Sequence, residues 1–376
     1  MRHRTFFKTV LLFWICIMVP TLICCASNAN GNINGTACAD RSDSLIMKRS
    51  GSLHWDLDSS SVPNIKSLFF SESRNMLFCF NEMTWCIDGY DMHSGTKAVR
   101  YGVPAIMPWS MNVVSQDSIF VLDLDNSRIT RLDSRARTWD DLAIDRTSTI
   151  LPGSPGQPYV TDSVMIYVSS SDRLGFTTFI IDRKTGNISR HIPYPKSYRN
   201  FYGALLMQVP YSAFNPDEGL IVVGFPIDGT LYILDLNGRI SRTVYAESIQ
   251  AHQITPLRKG RWGLGVSSEE EIEYFRKVTS YGNILYDSYR NLYYRIVERS
   301  TPMPGVLGSN KAKSLSVIIL DKNFRIVGES DLDDVFFAGF RYTCFVSKEG
   351  LNLQLLTSDD ELAFATYTVT EKPNNH

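Results

Sequence analysis

A short motif recurs five times along this chain: strand-forming residues run into an Asp-containing turn, and a second half-apolar strand follows. It reads Trp85-Cys86-Ile87-Asp88-Gly89-Tyr90-Asp91, Ile119-Phe120-Val121-Leu122-Asp123, Thr178-Phe179-Ile180-Ile181-Asp182, Leu231-Tyr232-Ile233-Leu234-Asp235 and Val317-Ile318-Ile319-Leu320-Asp321. A hairpin of this kind cannot bury a face alone, so its repetition points to a radial all-β array, a β-propeller. The anchoring residues Asp91, Asp123, Asp182, Asp235 and Asp321 are unevenly spaced, so the loops differ in length from blade to blade.

Alternation and turn residues place strands for six blades. Blade one takes Ser67–Phe70, Met76–Phe80, Trp85–Tyr90 and Lys97–Tyr101. Blade two takes Met111–Val114, Ser118–Leu122 and Arg128–Leu132, and blade three Val164–Ser169, Phe176–Ile181 and Ile188–Ile192. Blade four takes Leu220–Gly224, Thr230–Leu234 and Ile240–Val244, and blade five Ile284–Tyr286, Leu292–Val297, Leu315–Leu320 and Ile326–Ser330. Blade six takes Tyr342–Val346, Leu351–Leu355 and Leu362–Val369. Its outer strand is expected from Leu53–Leu57, because a ring closed by both chain ends leaves no strand edge exposed. Ser267 or Ser268, followed by Glu269-Glu270-Glu271, breaks the β pattern and fits a capping box, predicting one short inserted helix between Ser267 and Tyr281.

The N-terminus reads as an address. Arg2, Arg4 and Lys8 precede an uncharged apolar run from Val10 to Val19, then Pro20 and Leu22-Ile23-Cys24-Cys25-Ala26-Ser27. That is the layout of a secretory signal, with an apolar run shorter than the roughly 20 residues of a membrane-spanning helix. Leu22-Ile23-Cys24-Cys25 also resembles a bacterial lipoprotein box with Cys25 as the lipidated residue; ordinary signal cleavage after Ala26 or Ala29 is the alternative. The expected organisation is a signal peptide over 1–25, a flexible tether over 26–50, the propeller over 51–371 and a tail over 372–376. The expected location is the bacterial cell envelope, lipid-anchored and facing the periplasm.

Two later segments carry a family resemblance. Asn215-Pro216-Asp217-Glu218-Gly219-Leu220-Ile221-Val222-Val223-Gly224-Phe225-Pro226 and the Tyr-rich Tyr281-Gly282-Asn283-Ile284-Leu285-Tyr286-Asp287-Ser288-Tyr289-Arg290-Asn291-Leu292-Tyr293-Tyr294-Arg295 resemble a family of propeller-like lipoproteins of Bacteroidetes, of the DUF4221 type. The resemblance runs from about Ser50 to the C-terminus. It implies a six-bladed propeller on the envelope with no assigned reaction, and it supplies no catalytic residue.

Chemistry-bearing motifs are sparse. Beyond the signal and the last residue, histidine occurs only at His54, His93, His191 and His252, without metal-ligand spacing, so no metal and no cofactor is expected. Asp123-Leu124-Asp125-Asn126 lacks the Gly and closing Glu of a calcium loop, and Asp331-Leu332-Asp333-Asp334 reads as a solvated turn. No Gly-x-Ser-x-Gly elbow or phosphate-cradling loop is present, so no catalytic residue is assigned. Beyond the basic start, 35 basic groups face 39 acidic ones, a balance that argues against a nucleic-acid partner.

Cys79 and Cys86 flank the expected turn Asn81-Glu82-Met83-Thr84. If Phe80 lies opposite Trp85, the two cysteines are opposed as well, close enough for a disulfide in an oxidising compartment; two small buried hydrophobes are the alternative. Cys38 and Cys344 have no evident partner. Trp109, Tyr198, Arg199, Phe201-Tyr202 and Arg261-Trp262 fall in connecting loops where aromatics and Arg can rim a ligand site, but core packing is the favoured account of each and none is assigned to a site. The functional expectation is a non-enzymatic binding or scaffolding module for an envelope protein, peptide or glycan. The alternative is a propeller-type lyase or hydrolase whose residues converge from several blades.

Overall fold

Several central strands of the repeat are buried without alternation: Met76–Asn81 is buried at every position, as is Leu292–Glu298. Such strands need a partner on both faces. In the computed structural model they find one, because each sheet is sandwiched between two others in a closed ring of six blades, five of four strands and blade four of five. The structure describes residues 37–61, 65, 67–103, 108–123, 128–135, 137–143, 159–168, 176–198, 201–202, 205–251, 254–259, 266–300, 313–336, 343–355 and 360–373.

The six inner strands are Leu68–Ser71, Pro108–Ser115, Tyr159–Val160, Tyr211–Asn215, Ser280–Asp287 and Cys344–Ser347. Each adjoins the inner strand of the next blade, and Tyr159 Oη donating to the Ser212 carbonyl at 2.9 Å links blades three and four. Six hydrophobic clusters fill the six gaps between blades. Met76, Phe78 and Phe80 of blade one meet Met111, Val113 and Val121 of blade two, whereas Leu77 and Cys79 from the same strand turn to Phe345 and Phe364 of blade six. Period-2 geometry thus serves two cores at once. Each buried aliphatic or aromatic side chain is worth about 1.5–3 kcal/mol.

Both chain ends close the ring. Leu45–Asp56 is the outer strand of blade six, antiparallel to Glu361–Glu371. Closure from the N-terminal side is as expected, but the strand begins earlier, and Ala37–Cys38 already pairs in parallel with blade four's Ile240–Tyr245. The stretch from Ala37 to Ser50, expected as tether, therefore belongs largely to the folded body, because its residues complete two sheet edges. Residues 1–36, including Cys25, lie outside the described residues.

The recurrent Asp closes the hairpin between third and outer strands. Oδ1 accepts two backbone N–H bonds: from His93 and Ser94 at Asp91, Lys184 and Thr185 at Asp182, Asn237 and Arg239 at Asp235, and Asn323 and Arg325 at Asp321, all at 2.7–3.1 Å. An Asp side chain imitates a backbone turn in this way, which is why the motif recurs. Blade two is the exception to the sequence reading. Asp123 ends its second strand, and the equivalent turn is made by Asp133, whose Oδ1 accepts from Arg135 and Arg137 at 2.9 Å each. Blade two also has a fourth strand, Thr138–Ala143, and blades three and four gain the inner strands Tyr159–Val160 and Tyr211–Asn215.

The inserted helix α1 spans Ser268–Lys277, with Ser267 as N-cap and a complete capping box to Glu270. Phe275 on this helix lies with its ring 3.8 Å from the Nζ of buried Lys313, which also contacts Ser280 Oγ at 3.1 Å and Glu298 at 3.6 Å. Asp331 and Leu332, expected in a solvated turn, instead sit within the strand Ile326–Phe336. Leu332 is fully buried and Asp331 pairs with Arg299 at 2.9 Å, because that strand must stay extended to cover blade five.

Candidate functional site

Where the six inner strands face one another they leave a central channel of about 730 Å³. Every blade contributes to its wall. Short polar side chains line it at Ser67, Ser110, Asn112, Ser212 and Asn283, and apolar ones at Phe69, Phe70, Val114, Phe214, Leu285 and Val346. The Asn283 amide donates to the Cys344 sulfur at 2.9 Å, and burial pushes the Cys344 thiol up to about 11, so it stays protonated. The hydroxyls of Ser67, Ser110 and Ser212 are shielded from the channel and have no hydrogen-bond partner among the described residues.

Charge is nearly missing from this wall. Among the described lining residues Glu72 is the only carboxylate, and none is Lys, Arg, His or Asp. Glu72, in the turn after blade one's inner strand, accepts from Ser288 Oγ of blade five at 3.0 and 3.1 Å. Near the same mouth, burial and the neighbouring carboxylates Glu72 and Glu349 push the Tyr289 phenol up to about 12, and Tyr286 Oη donates to Asp217 at 2.8 Å. The arrangement can donate and accept neutral hydrogen bonds and offer apolar contact. A lone carboxylate held by a serine hydroxyl does not make an acid–base pair.

Of the candidate site residues read from the sequence, Cys344 is the one that lines the channel among the described residues. Cys79 lies opposite Asp88, and Cys86 opposite Asn81. This corrects the expected register by two residues, because Asn81 Oδ1 caps the turn by accepting from Met83 and Thr84, and Trp85 joins the turn at φ 52°. The cysteines become diagonal neighbours, at about 7–8 Å, beyond the reach of a disulfide. Cys79, Cys86 and Cys344 are all free thiols. Tyr198 is core, its hydroxyl donating to the Met207 carbonyl at 2.8 Å. The side chains of Trp109, Phe201 and Tyr202 and all of Arg199, Arg261 and Trp262 lie outside the described residues, as do His252 and 124–126. His54, exposed, contacts Glu361, while His191 packs over Gly238. Among the described residues no three His, Cys, Asp or Glu side chains converge as a metal site.

The Tyr-rich segment builds the joint between blades four and five. Tyr293 Oη receives the Asn215 amide at 2.8 Å and its ring stacks on Phe324, while Tyr294 Oη donates to buried Asp287 at 2.6 Å. Arg295 is fully buried on the same strand, and among the described residues no carboxylate lies in ion-pair contact with it. Its guanidinium donates to the carbonyls of Gly229, Ala246, Phe225 and Asp228 at 2.7–3.3 Å and lies 3.7 Å from the Tyr281 ring. Burial draws its pKa down to about 10, so it is charged at neutral pH.

Fold and site together define a six-bladed β-propeller with a nearly uncharged central channel. The family described as "Domain of unknown function (DUF4221)" matches residues 102–331, more than half of the chain, and the chain belongs to that family. A crystal structure of a DUF4221 family member from Bacteroides vulgatus is similar at TM-score 0.68 and 22% identity, covering 88% of this chain and 99% of that one. Kuenenia stuttgartiensis hydrazine synthase (TM-score 0.48, 11% identity, 77% and 73% covered) and Staphylococcus aureus virginiamycin B lyase (TM-score 0.45, 9% identity, 85% and 99% covered) are far more distant and carry no argument about activity. No curated protein matches.

Proposed function

We propose that this protein is an envelope-anchored binding module, tethered through a lipid on Cys25 and facing the periplasm, that holds its ligand at the channel and its mouth without transforming it. The observation that carries the binding part is the wall of the channel: all six blades contribute, yet the described lining residues present hydroxyls, amides, aromatic rings and a single carboxylate already engaged by Ser288. A propeller hydrolase or lyase needs converging groups that exchange protons or bear charge in the transition state. The anchoring part rests on the basic, apolar and Cys-bearing N-terminal layout.

Two measurements test the reading. Metabolic labelling with a radioactive fatty acid should mark the full chain and spare the Cys25→Ala variant, which should leave the membrane fraction. For binding, crosslinking in intact cells from a photoreactive residue at Val114, exposed at the channel, should give a discrete adduct that a Phe214→Arg variant loses. A fatty-acid label retained by Cys25→Ala would overturn the anchor. Absence of any adduct that depends on the channel would overturn the binding role.

A further inference from the structure

With its serines shielded and the Asn283 amide engaged by Cys344, the channel offers a visitor mainly carbon. Phe69, Val114, Val160, Phe214, Leu285 and Val346, one from each blade, line it and none of them is buried; Val114 is 51% exposed. A concave apolar surface to which every blade contributes is the kind of patch that marks a binding site.

The rim carries the charge that the wall lacks. On the face where the inner strands turn into the second strands stand exposed Glu72 of blade one, Asp217 and Glu218 of blade four and Glu349 of blade six. Among the described residues none of the four lies in an ion pair. Three are held by neutral donors, Ser288 Oγ to Glu72 at 3.0 Å, Tyr286 Oη to Asp217 at 2.8 Å and Ser347 Oγ to Glu349 at 2.9 Å, which leave the charge and further lone pairs in place. Cations on the same turns are largely spent. Arg290 pairs with buried Asp287 at 3.0 Å and Arg74 lies over the Phe78 ring, which leaves Lys348 to oppose four carboxylates.

The carboxylates form two groups, each beside a tyrosine of blade five. Glu72 and Glu349 neighbour Tyr289, whose side chain is exposed, and Asp217 and Glu218 neighbour Tyr286, which also lines the channel. A ring beside carboxylates attracts a Lys or Arg head group through its face and through Coulomb forces together. Charge complementarity therefore chooses the occupant. An anion is repelled at the rim, a purely apolar ligand leaves the rim unused, and a chain with cations on both sides of an apolar side chain satisfies both groups and the wall. Resting on the binding role proposed above, we infer that mouth and channel dock a basic peptide segment, with an apolar side chain in the channel and Lys or Arg on either side of it at the two tyrosine–carboxylate groups.

Isothermal titration of the purified full-length protein with the N-acetylated, C-amidated peptides Gly-Lys-Phe-Lys-Gly and Gly-Arg-Leu-Arg-Gly tests this. At least one should bind. Gly in place of its apolar residue should weaken it about tenfold or more, the worth of burying one large side chain. Ser in place of both cations should weaken it about threefold or more, and Glu in their place should abolish binding. Glu72→Gln, Asp217→Asn, Glu218→Gln and Glu349→Gln combined discharge the rim yet keep carbonyl acceptors for Ser288, Tyr286 and Ser347. That variant should bind about tenfold more weakly and lose the salt dependence of the wild type. Val346→Trp, which crowds the channel, should remove the advantage of the apolar residue over Gly, and Glu273→Gln on α1 should change nothing.

The inference is overturned if neither basic peptide binds, if the Ser or Glu peptides bind as tightly, if Gly costs nothing, or if discharging the rim of the folded protein leaves affinity unchanged. Should the combined variant not fold, the peptide series on the wild type decides. The crosslink at Val114 separates this reading from the binding role beneath it. Its persistence without basic-peptide binding removes the peptide and leaves the binding module; loss of both removes both.

Discussion

Ring closure rests on a contact that one methyl group should break. Gly95 lies in the blade-one turn after Asp91 at φ +67°, and a Cβ placed there would sit 2.1 Å from Cδ1 of Trp55. Trp55 belongs to the closing strand and is held by Tyr90, stacked at 5.9 Å, and Phe364, edge-on at 5.8 Å, so its ring has little room to yield. Gly95→Ala therefore combines a left-handed backbone cost of about 1–2 kcal/mol with overpacking of about 1–3 kcal/mol. The total of roughly 2–5 kcal/mol is a large share of the 5–15 kcal/mol typical of a folded domain. Trp55→Ala by itself should cost about 3–5 kcal/mol. It also empties the space that the new methyl needs, so in its presence Gly95→Ala should cost only the backbone part, about 1–2 kcal/mol. Urea denaturation of the wild type, both single variants and the double variant measures the coupling, expected at about 1–3 kcal/mol. Additivity within about 0.5 kcal/mol would refute the steric argument and show that Trp55 moves freely.

Other expectations follow from the same structure. Arg295→Met keeps most of the side-chain volume but removes the guanidinium from four carbonyls, of which that of Gly229 still accepts from the Ala246 N–H, and should destabilise by about 2–4 kcal/mol after allowing for the desolvated cation it removes; equilibrium melts that match the wild type would deny the lock between blades four and five. Ser110→Ala deletes an unpartnered hydroxyl and should leave the urea midpoint unchanged or raise stability by about 1 kcal/mol, whereas a clear loss would reveal a hidden partner. Asp91 and Asp182 are held below their ordinary pKa by backbone N–H bonds from their turns, so their contribution is present above the unfolded value of 3.8 and is lost as pH falls through the lowered folded value. Asn at both positions keeps the turn acceptor and should flatten the acid limb of a stability-against-pH curve; an unchanged limb would assign it to other groups. Mass spectrometry of unreduced protein should show free thiols at Cys79 and Cys86, with Cys79 alkylated only after denaturation because burial holds its pKa high; a bonded pair would contradict the hairpin register.

Local signals fixed local structure. An Asp side chain closes its own turn and a Ser–Glu pair caps its own helix, so Asp91, Asp182, Asp235, Asp321 and the Ser267–Glu270 box were legible from neighbours a few positions away. Closure by the early strand was also legible, since an unpaired edge and a free apolar strand need one another. The register between Cys79 and Cys86 was not, because it depends on whether Trp85 enters the turn with a positive φ, a choice that strand propensity does not encode.

The channel was invisible to sequence for a different reason. Its wall takes residues from six segments between Ser67 and Val346, among them a two-residue strand at Tyr159–Val160 and the unassigned strand Tyr211–Asn215. Arg295 shows the same limit, since its partners are backbone carbonyls of another blade, which carry no residue code. By itself the sequence determined a repeated hairpin, its turns, its helix cap and the need to close a ring, all set by interactions between near neighbours or by the apolar character of a strand. Only the tertiary structure decided the strand register, the buried cation and the nearly uncharged channel, because each arises where distant segments meet and the physical partner is a shape or a carbonyl group.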